Sequence, residues 1–229
     1  MLDRVGTVRG ELVLRRDGER FEVISNGVFL MDTSDGTSER LLVDAAVARC
    51  AEPAPRLLVG GLGVGFSLRQ AVSHPHLSAI DVVEIEETVV AWNERYPHEL
   101  GGDALRDPRV RVVETDLVEW LGSTTDRYDA ICLDIDNGPN WLVFEANGAA
   151  YTDRGIGLAV RCLRPGGVLA VWSASRDPDY EERLRSRFGD VETLLTARPR
   201  GEPDVVYVAR RLSDPRAQPL EGGRGGVEQ

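Results

Sequence analysis

The sequence predicts an α/β fold: a doubly wound, mostly parallel seven-stranded sheet preceded by a small N-terminal β-hairpin region. Three observations carry this. From Arg56 onward, short apolar strands alternate with stretches of helical periodicity, the pattern of a parallel sheet covered on both faces. The first of those strands runs into the glycine loop Gly61-Leu62-Gly63-Val64-Gly65 just before a helical stretch. Within the first fifty residues, Asp17-Gly18 and Asn26-Gly27 separate apolar runs, and both dipeptides are strong hairpin signals.

The elements follow in order. "ELVLRRDGERFEVISNGVFLMD" reads as two or three short strands, and "TSERLLVDAAVARC" as a helix with Ser38 at its N-cap, ended by "AEPAP". "RLLVGG" is a strand, "GFSLRQAVSH" a helix, "AIDVVEIE" a strand and "EETVVAWNERY" a helix. "RVRVVET" is a strand and "DLVEWLGS" a short helix; "YDAICLDID" is a strand that leads through a connection to the helix "DRGIGLAVRCL". "GGVLAVWSA" is a strand and "PDYEERLRSRF" a helix, and "VETLLTA" and "DVVYVAR" form an antiparallel closing pair. The expected division is residues 1–50 for the hairpins and first helix, 51–212 for the nucleoside-binding domain, and 213–229 for a Gly/Pro-rich disordered tail.

Composition narrows the function. The chain has 229 residues and a net charge of -11, from 38 acidic residues against 27 arginines and no lysine. Nucleic acid and anionic membrane are poor partners for such a chain, and a cationic or neutral substrate suits it. The absence of lysine removes Schiff-base and P-loop lysine chemistry. Cys50, Cys132 and Cys162 lack CxxC spacing and fit reduced thiols, and His74, His76 and His98 form no metal pattern. No apolar run is long enough to span a bilayer. The first residues lack a signal-peptide core, so the cytoplasm is the expected location.

The loop discriminates between nucleotides. A dinucleotide fingerprint is G-x-G-x-x-G, whose third glycine lets the helix pack close under a pyrophosphate. Here the third glycine comes one residue early and Phe66 takes the crowded position, which disfavours NAD and suits S-adenosylmethionine. Glu84 ends the next strand, placed to accept both ribose hydroxyls, with Ile85 beside it. Asp116 ends the third strand, where it can accept the adenine amino group or cap a helix, while the backbone of Leu117 meets the ring edge.

The run from Arg56 to Ala174 resembles the catalytic domain of spermidine synthases (polyamine aminopropyltransferases), a branch of the class I methyltransferase, Rossmann-like fold. "VGGLGVGFSLRQ" is similar to the family's glycine loop, "DVVEIEETVV" to its ribose strand and "DPRVRVVETDLVEWL" to its adenine segment. "RYDAICLDIDNGP" is similar to its catalytic strand, and "AAYTDRGIGLAVRCLRPGGVLAVW" to the helix and strand after it. The resemblance implies a transferase that uses S-adenosylmethionine or its decarboxylated form to alkylate a small acceptor, by family an amine, with Asp134 as the catalytic aspartate.

Departures cluster on the acceptor side. Val64 stands where the family has an acid that contacts the aminopropyl end. The segment that helps bind polyamine keeps Glu39 but lacks the tyrosine and histidine, and Asn137 replaces the second aspartate of the strand-4 motif, with Asp136 as an extra acid between. Loss of the acid at position 64 removes repulsion toward the carboxylate of intact S-adenosylmethionine, so methyl transfer is favoured over aminopropyl transfer. Asp134 and Asp136 are expected to face the same way, as the catalytic pair, if the strand continues regularly. Val64, Asn137 and Trp141 are the substrate-side candidates, Trp141 as a pocket wall or a core residue. The competing reading is a non-catalytic nucleoside- or partner-binding protein on this fold, and the exposed hairpins offer a homodimer surface.

Overall fold

Hairpin chemistry builds the first layer. Strands β1 (Asp3–Thr7), β2 (Gly10–Asp17), β3 (Arg20–Ser25) and β4 (Val28–Asp32) form an antiparallel sheet in chain order. Asn26 and Gly27 both take positive φ, 50° and 80°, as a tight hairpin turn requires. The extra strand, relative to the two or three expected, is β1; its turn through Val8 and Arg9 carries no Asn-Gly or Asp-Gly signal. The structure, a computed structural model, describes residues 1–198 and 201–211. The tail expected at 213–229 lies outside the described residues.

The second layer is the doubly wound sheet. Its elements are α1 (Thr37–Val47), β5 (Arg56–Gly60), α2 (Phe66–Ser73), β6 (Ala79–Glu84), α3 (Glu87–Arg95) and α4 (Gly102–Leu105). Then come β7 (Val110–Glu114), α5 (Leu117–Ser123), β8 (Tyr128–Leu133), a 3-10 turn (Glu145–Tyr151) and α6 (Asp153–Cys162). The chain closes with β9 (Leu163–Ser173), α7 (Pro178–Arg187), β10 (Asp190–Thr196) and β11 (Asp204–Arg210). The strand order is β10-β11-β9-β8-β5-β6-β7, parallel except for β11, which runs antiparallel to both of its neighbours. The seven-stranded α/β fold read from the sequence is the one observed.

Two features of this sheet position the site. Every residue of β8 is buried, as a central parallel strand covered on both faces must be. The chain winds outward through β6 and β7 on one side of β5, and through β8 and β9 on the other. That reversal opens a crevice beyond the carboxyl ends of β5 and β8, where ligands of such sheets bind. The hairpin sheet does not stand apart: Leu12, Leu14, Phe21 and Val23 are buried in the same cluster as Leu57 and Val59 of β5.

Some local expectations change. Helix α1 begins at Thr37 with Gly36 before it, so Ser38 is not the cap. It lies inside the helix, buried, with its hydroxyl turned to other acids (below). Helix α1, grouped with the hairpins in the sequence-based division, packs on α2, β8, β9 and β11. Helix α4 and the 3-10 turn fall in stretches read as connections; at four and seven residues, they are too short to show periodicity.

Candidate active site

The glycine loop is shaped by close backbone approach. Gly61, Gly63 and Gly65 all have positive φ, 90°, 53° and 87°. A Cβ on Gly61 would lie 2.1 Å from the Asp134 carbonyl oxygen, and one on Gly65 2.2 Å from the Gly101 Cα. Alanine at either position therefore collides with backbone, which cannot yield as a side chain can. Asn93, fully buried on α3, ties the loop down: its amide donates to the Gly63 carbonyl at 2.9 Å, and its carbonyl oxygen accepts the Gly101 N–H at 2.7 Å. Phe66 fills space against Gly36, with the Arg40 guanidinium over its ring at 5.5 Å.

Glu84 anchors this loop from the end of β6. Its carboxylate accepts the backbone N–H of Leu62 and of Glu86, both at 2.9 Å. Burial raises its pKa, while these N–H groups and those of Ile85 and Gly63 oppose the rise. Among the described residues, only the Leu62 and Glu86 N–H groups lie at hydrogen-bond distance, so two of about four lone-pair sites on the carboxylate stay open, and Glu84 lines the cleft. Asp116 caps α5: one oxygen accepts from Val118 at 2.7 Å and Glu119 at 3.0 Å. Its other oxygen makes no hydrogen bond among the described residues, and the residue lines the same cleft as Ile85 and Leu117.

The carboxylates of the strand-4 motif diverge. Strand β8 ends at Leu133, so the pleat that would aim Asp134 and Asp136 the same way is already lost. Asp134 turns to the cleft and accepts the Ser67 hydroxyl at 2.8 Å. Asp136 turns into its own loop, where it accepts the N–H groups of Asn137 (2.8 Å), Val143 (2.7 Å) and Phe144 (3.2 Å) and the Asn147 amide (2.9 Å). Four donors occupy Asp136, which makes it a loop anchor here and corrects the expected pair. Asn137 gives its carbonyl to the Ala174 N–H at 2.9 Å and does not line the cleft. Trp141 is 57% exposed, neither pocket wall nor core. Val64 is buried in the hydrophobic core and so does not set the character of the pocket.

Charge comes instead from residues far apart in sequence. Asp134 lies near Glu39 of α1, Asp204 at the start of β11, and Glu84. Burial pushes the Asp134 carboxyl up to about 6, Asp204 and Glu84 adding to the rise while Ser67 opposes it. Burial likewise raises Glu39 to about 7, with the charge of Asp134 contributing. The Ser38 hydroxyl sits 2.9 Å from both Glu39 and Asp204. It has one hydrogen, so a protonated Glu39 donating to Ser38, which donates to Asp204, satisfies all three. Arg198 approaches Asp204 at 2.9 Å.

These raised values have a consequence for stability. Between the ordinary carboxyl range and values of about 6 and 7, the folded chain holds more protons than the unfolded one. Stability from these groups therefore falls as pH rises through that window. We expect a higher melting temperature near pH 5 than at pH 8, and Glu39→Gln should flatten that dependence and stabilise the protein at pH 8. Thermal unfolding across this range checks it; an unchanged pH slope in the variant contradicts the assignment.

The hairpin sheet supplies a wall that the sequence did not reveal. Leu12, Leu30 and Met31 line the cleft. From the β1–β2 turn, Arg9 donates to Glu86 at 2.6 Å and to the Ile85 carbonyl at 2.5 Å. Sequence reading missed Arg9, Glu86 and Asp204. The two partners of the Arg9 contact are 77 residues apart, and Asp204 looks locally like an acid opening a strand.

A glycine cradle, an acid ending the second strand and a capping acid after the third meet at one topological switch of an α/β protein of the doubly wound class. The chain belongs to the spermine/spermidine synthase domain family, which it matches over residues 38–187. It is 33% identical over 165 residues to the polyamine aminopropyltransferase of Prochlorococcus marinus (strain MIT 9215), covering 69% of this chain and 56% of that protein. Polyamine aminopropyltransferase 2 of Pseudomonas aeruginosa is 27% identical over 208 residues, 85% of this chain and 57% of the relative. The chain thus spans a little over half the length of these curated relatives. Among solved structures, the fold is similar to spermidine synthase from Thermotoga maritima, with a TM-score of 0.75 and 16% identity over 93% of this chain and 74% of that one. Human methyltransferase-like protein 13 in complex with SAH gives 0.61 and 20%, over 80% and 86%. The preference for methyl transfer drawn from Val64 finds no support in the two curated relatives, whose names point to aminopropyl transfer.

Proposed function

We propose that this protein transfers an aminopropyl group from decarboxylated S-adenosylmethionine to a small amine. The observation that carries the reading is Asp134 in the cleft wall, with the carboxyls of Glu39 and Asp204, joined through Ser38, close enough to act on it. Such a pocket attracts an ammonium-bearing acceptor and the ammonium end of an aminopropyl donor, and it repels the carboxylate of intact S-adenosylmethionine. The acid missing at position 64 is thereby replaced by Asp134 and Asp204, with Glu39 adding charge as pH rises past about 7. Glu84 and Asp116 are the groups proposed to hold ribose and adenine, with Gly61, Gly63 and Gly65 giving the backbone approach.

The donor supplies a sulfonium carbon open to displacement. The acceptor nitrogen bonds to that carbon as the carbon–sulfur bond breaks, its electron pair staying on sulfur, and the nitrogen loses a proton. Asp134, ionised above about pH 6, orients the amine and takes that proton; the rest is in-line placement. The test is product analysis with decarboxylated and intact S-adenosylmethionine, each offered with a series of diamines. Methylthioadenosine together with an aminopropylated amine is expected. Formation of S-adenosylhomocysteine and a methylated product would overturn the reading in favour of methyl transfer.

A further inference from the structure

A second cavity lies at the opposite edge of the sheet. It measures about 480 Å³ and is lined by Arg127, Arg161, Arg164 and Arg211, with Val160 and Leu163 among its apolar wall residues. Arg127 precedes β8 and Leu163 opens β9, so the cavity sits at the amino ends of these parallel strands. The cleft lies beyond their carboxyl ends; six residues of β8 at about 3.3 Å each put roughly 20 Å between them.

Guanidinium groups without a carboxylate partner gather here. With 38 acidic residues against 27 arginines, most guanidinium groups have a carboxylate to meet. Yet Arg127, Arg161 and Arg211 have none within 4.0 Å among the described residues, and only Arg164 is paired, with Asp129 at 2.5 Å. The nearby acid Asp126 is engaged elsewhere, by Arg56 at 3.0 Å and Arg111 at 2.7 Å.

Backbone carbonyls hold the three arginines without saturating them. Arg161 donates through Nη2 to Leu121. Arg211 donates through Nη1 to Val160 and Leu163, at 3.0 and 2.7 Å. Arg127 donates through Nη1 to Thr125 and Asp126, both at 3.0 Å. Each contact fixes one end of a planar fork and leaves further N–H donors free among the described residues. Forks held this way match the oxygens of phosphate groups, which accept bidentate, charge-assisted hydrogen bonds.

We propose that this cavity binds a small polyanion of the phosphate class, such as a diphosphate group, at a site separate from the nucleoside cleft. Its positive charge is local, so an anion reaches it despite the overall net charge of -11.

Calorimetric titration of the full chain with inorganic pyrophosphate at low salt tests it. Saturable one-to-one binding is expected, weakening as salt rises. Arg127→Gln and Arg161→Gln should each lower affinity at least about tenfold, or roughly 1.4 kcal/mol. Arg127 touches only carbonyls of its own turn, so Arg127→Gln should melt like the wild type without ligand, separating lost binding from lost folding. Arg16→Gln, on the hairpin sheet far from the cavity, serves as a control and should bind normally. Absence of saturable binding, equal binding by the two cavity variants, or equal loss in the control would each overturn the site.

Discussion

Replacing Asp134 by asparagine is expected to lower turnover by at least about 100-fold, the lower end of what a positioned acid–base group contributes. The variant should fold and keep most of its donor affinity. Asparagine is nearly isosteric, and its amide oxygen can still accept the Ser67 hydroxyl that now sits at 2.8 Å. What disappears is a negative charge and a proton acceptor. The wild-type carboxyl titrates near 6 because burial outweighs the Ser67 hydrogen bond. Its rate should therefore climb as pH rises through 6, and that limb should vanish in Asp134→Asn. Asp136→Asn makes the contrast: four donors bind that side chain, so its loss should loosen the 136–147 loop and lower stability more than it changes a pH profile. Single-turnover kinetics with a confirmed acceptor, run beside donor titration, separates the two. A fully active Asp134→Asn enzyme would leave placement alone as the source of catalysis.

Glu84→Ala should weaken donor binding by about 2 kcal/mol or more, since a charged acceptor of hydrogen bonds is removed. The structure adds a second loss, because the N–H groups of Leu62 and Glu86 would be left without their acceptor. Glu84→Gln distinguishes the contributions: each carboxylate oxygen now accepts one loop N–H, and the amide keeps one such acceptor while losing the charge and the second. We expect Glu84→Gln to retain more thermal stability than Glu84→Ala while still binding the donor clearly more weakly than wild type. Calorimetry with methylthioadenosine, which carries the nucleoside but no transferable group, measures this directly. Unchanged affinity in both variants would remove Glu84 from the ribose site.

Much of the nucleoside half was legible because its signals are local. The glycine spacing sits in five residues, and Glu84 and Asp116 each close a strand whose apolar pattern is plain. Strand–helix alternation then places those strand ends together, since a parallel sheet aligns its carboxyl edges. Misreadings arose where a short-range rule was carried past the element that justified it. Asp134 and Asp136 share a face only while the pleat persists, and β8 stops at Leu133. Val64 was weighed as a pocket residue from its alignment with an acid, but an apolar side chain next to an open core turns inward, where burial favours it. Ser38 looked like a cap; the helix starts one residue earlier and buries it.

By itself the sequence determined the α/β class, the parallel sheet with its antiparallel edge, and the strand-end positions of Gly61, Gly63, Glu84 and Asp116 that line one cleft, because periodicity and turn chemistry act over a few residues. Tertiary structure alone decided how the buried carboxyls cluster. Glu39, Asp134 and Asp204 come from α1, the end of β8 and the start of β11, and only the strand order β11-β9-β8 with α1 packed across it brings them together. The same holds for Arg9 over the Ile85 carbonyl and for the arginine cavity beneath the sheet. Charge–charge interaction and desolvation depend on distance in space and on burial, and no local pattern in the chain encodes either one.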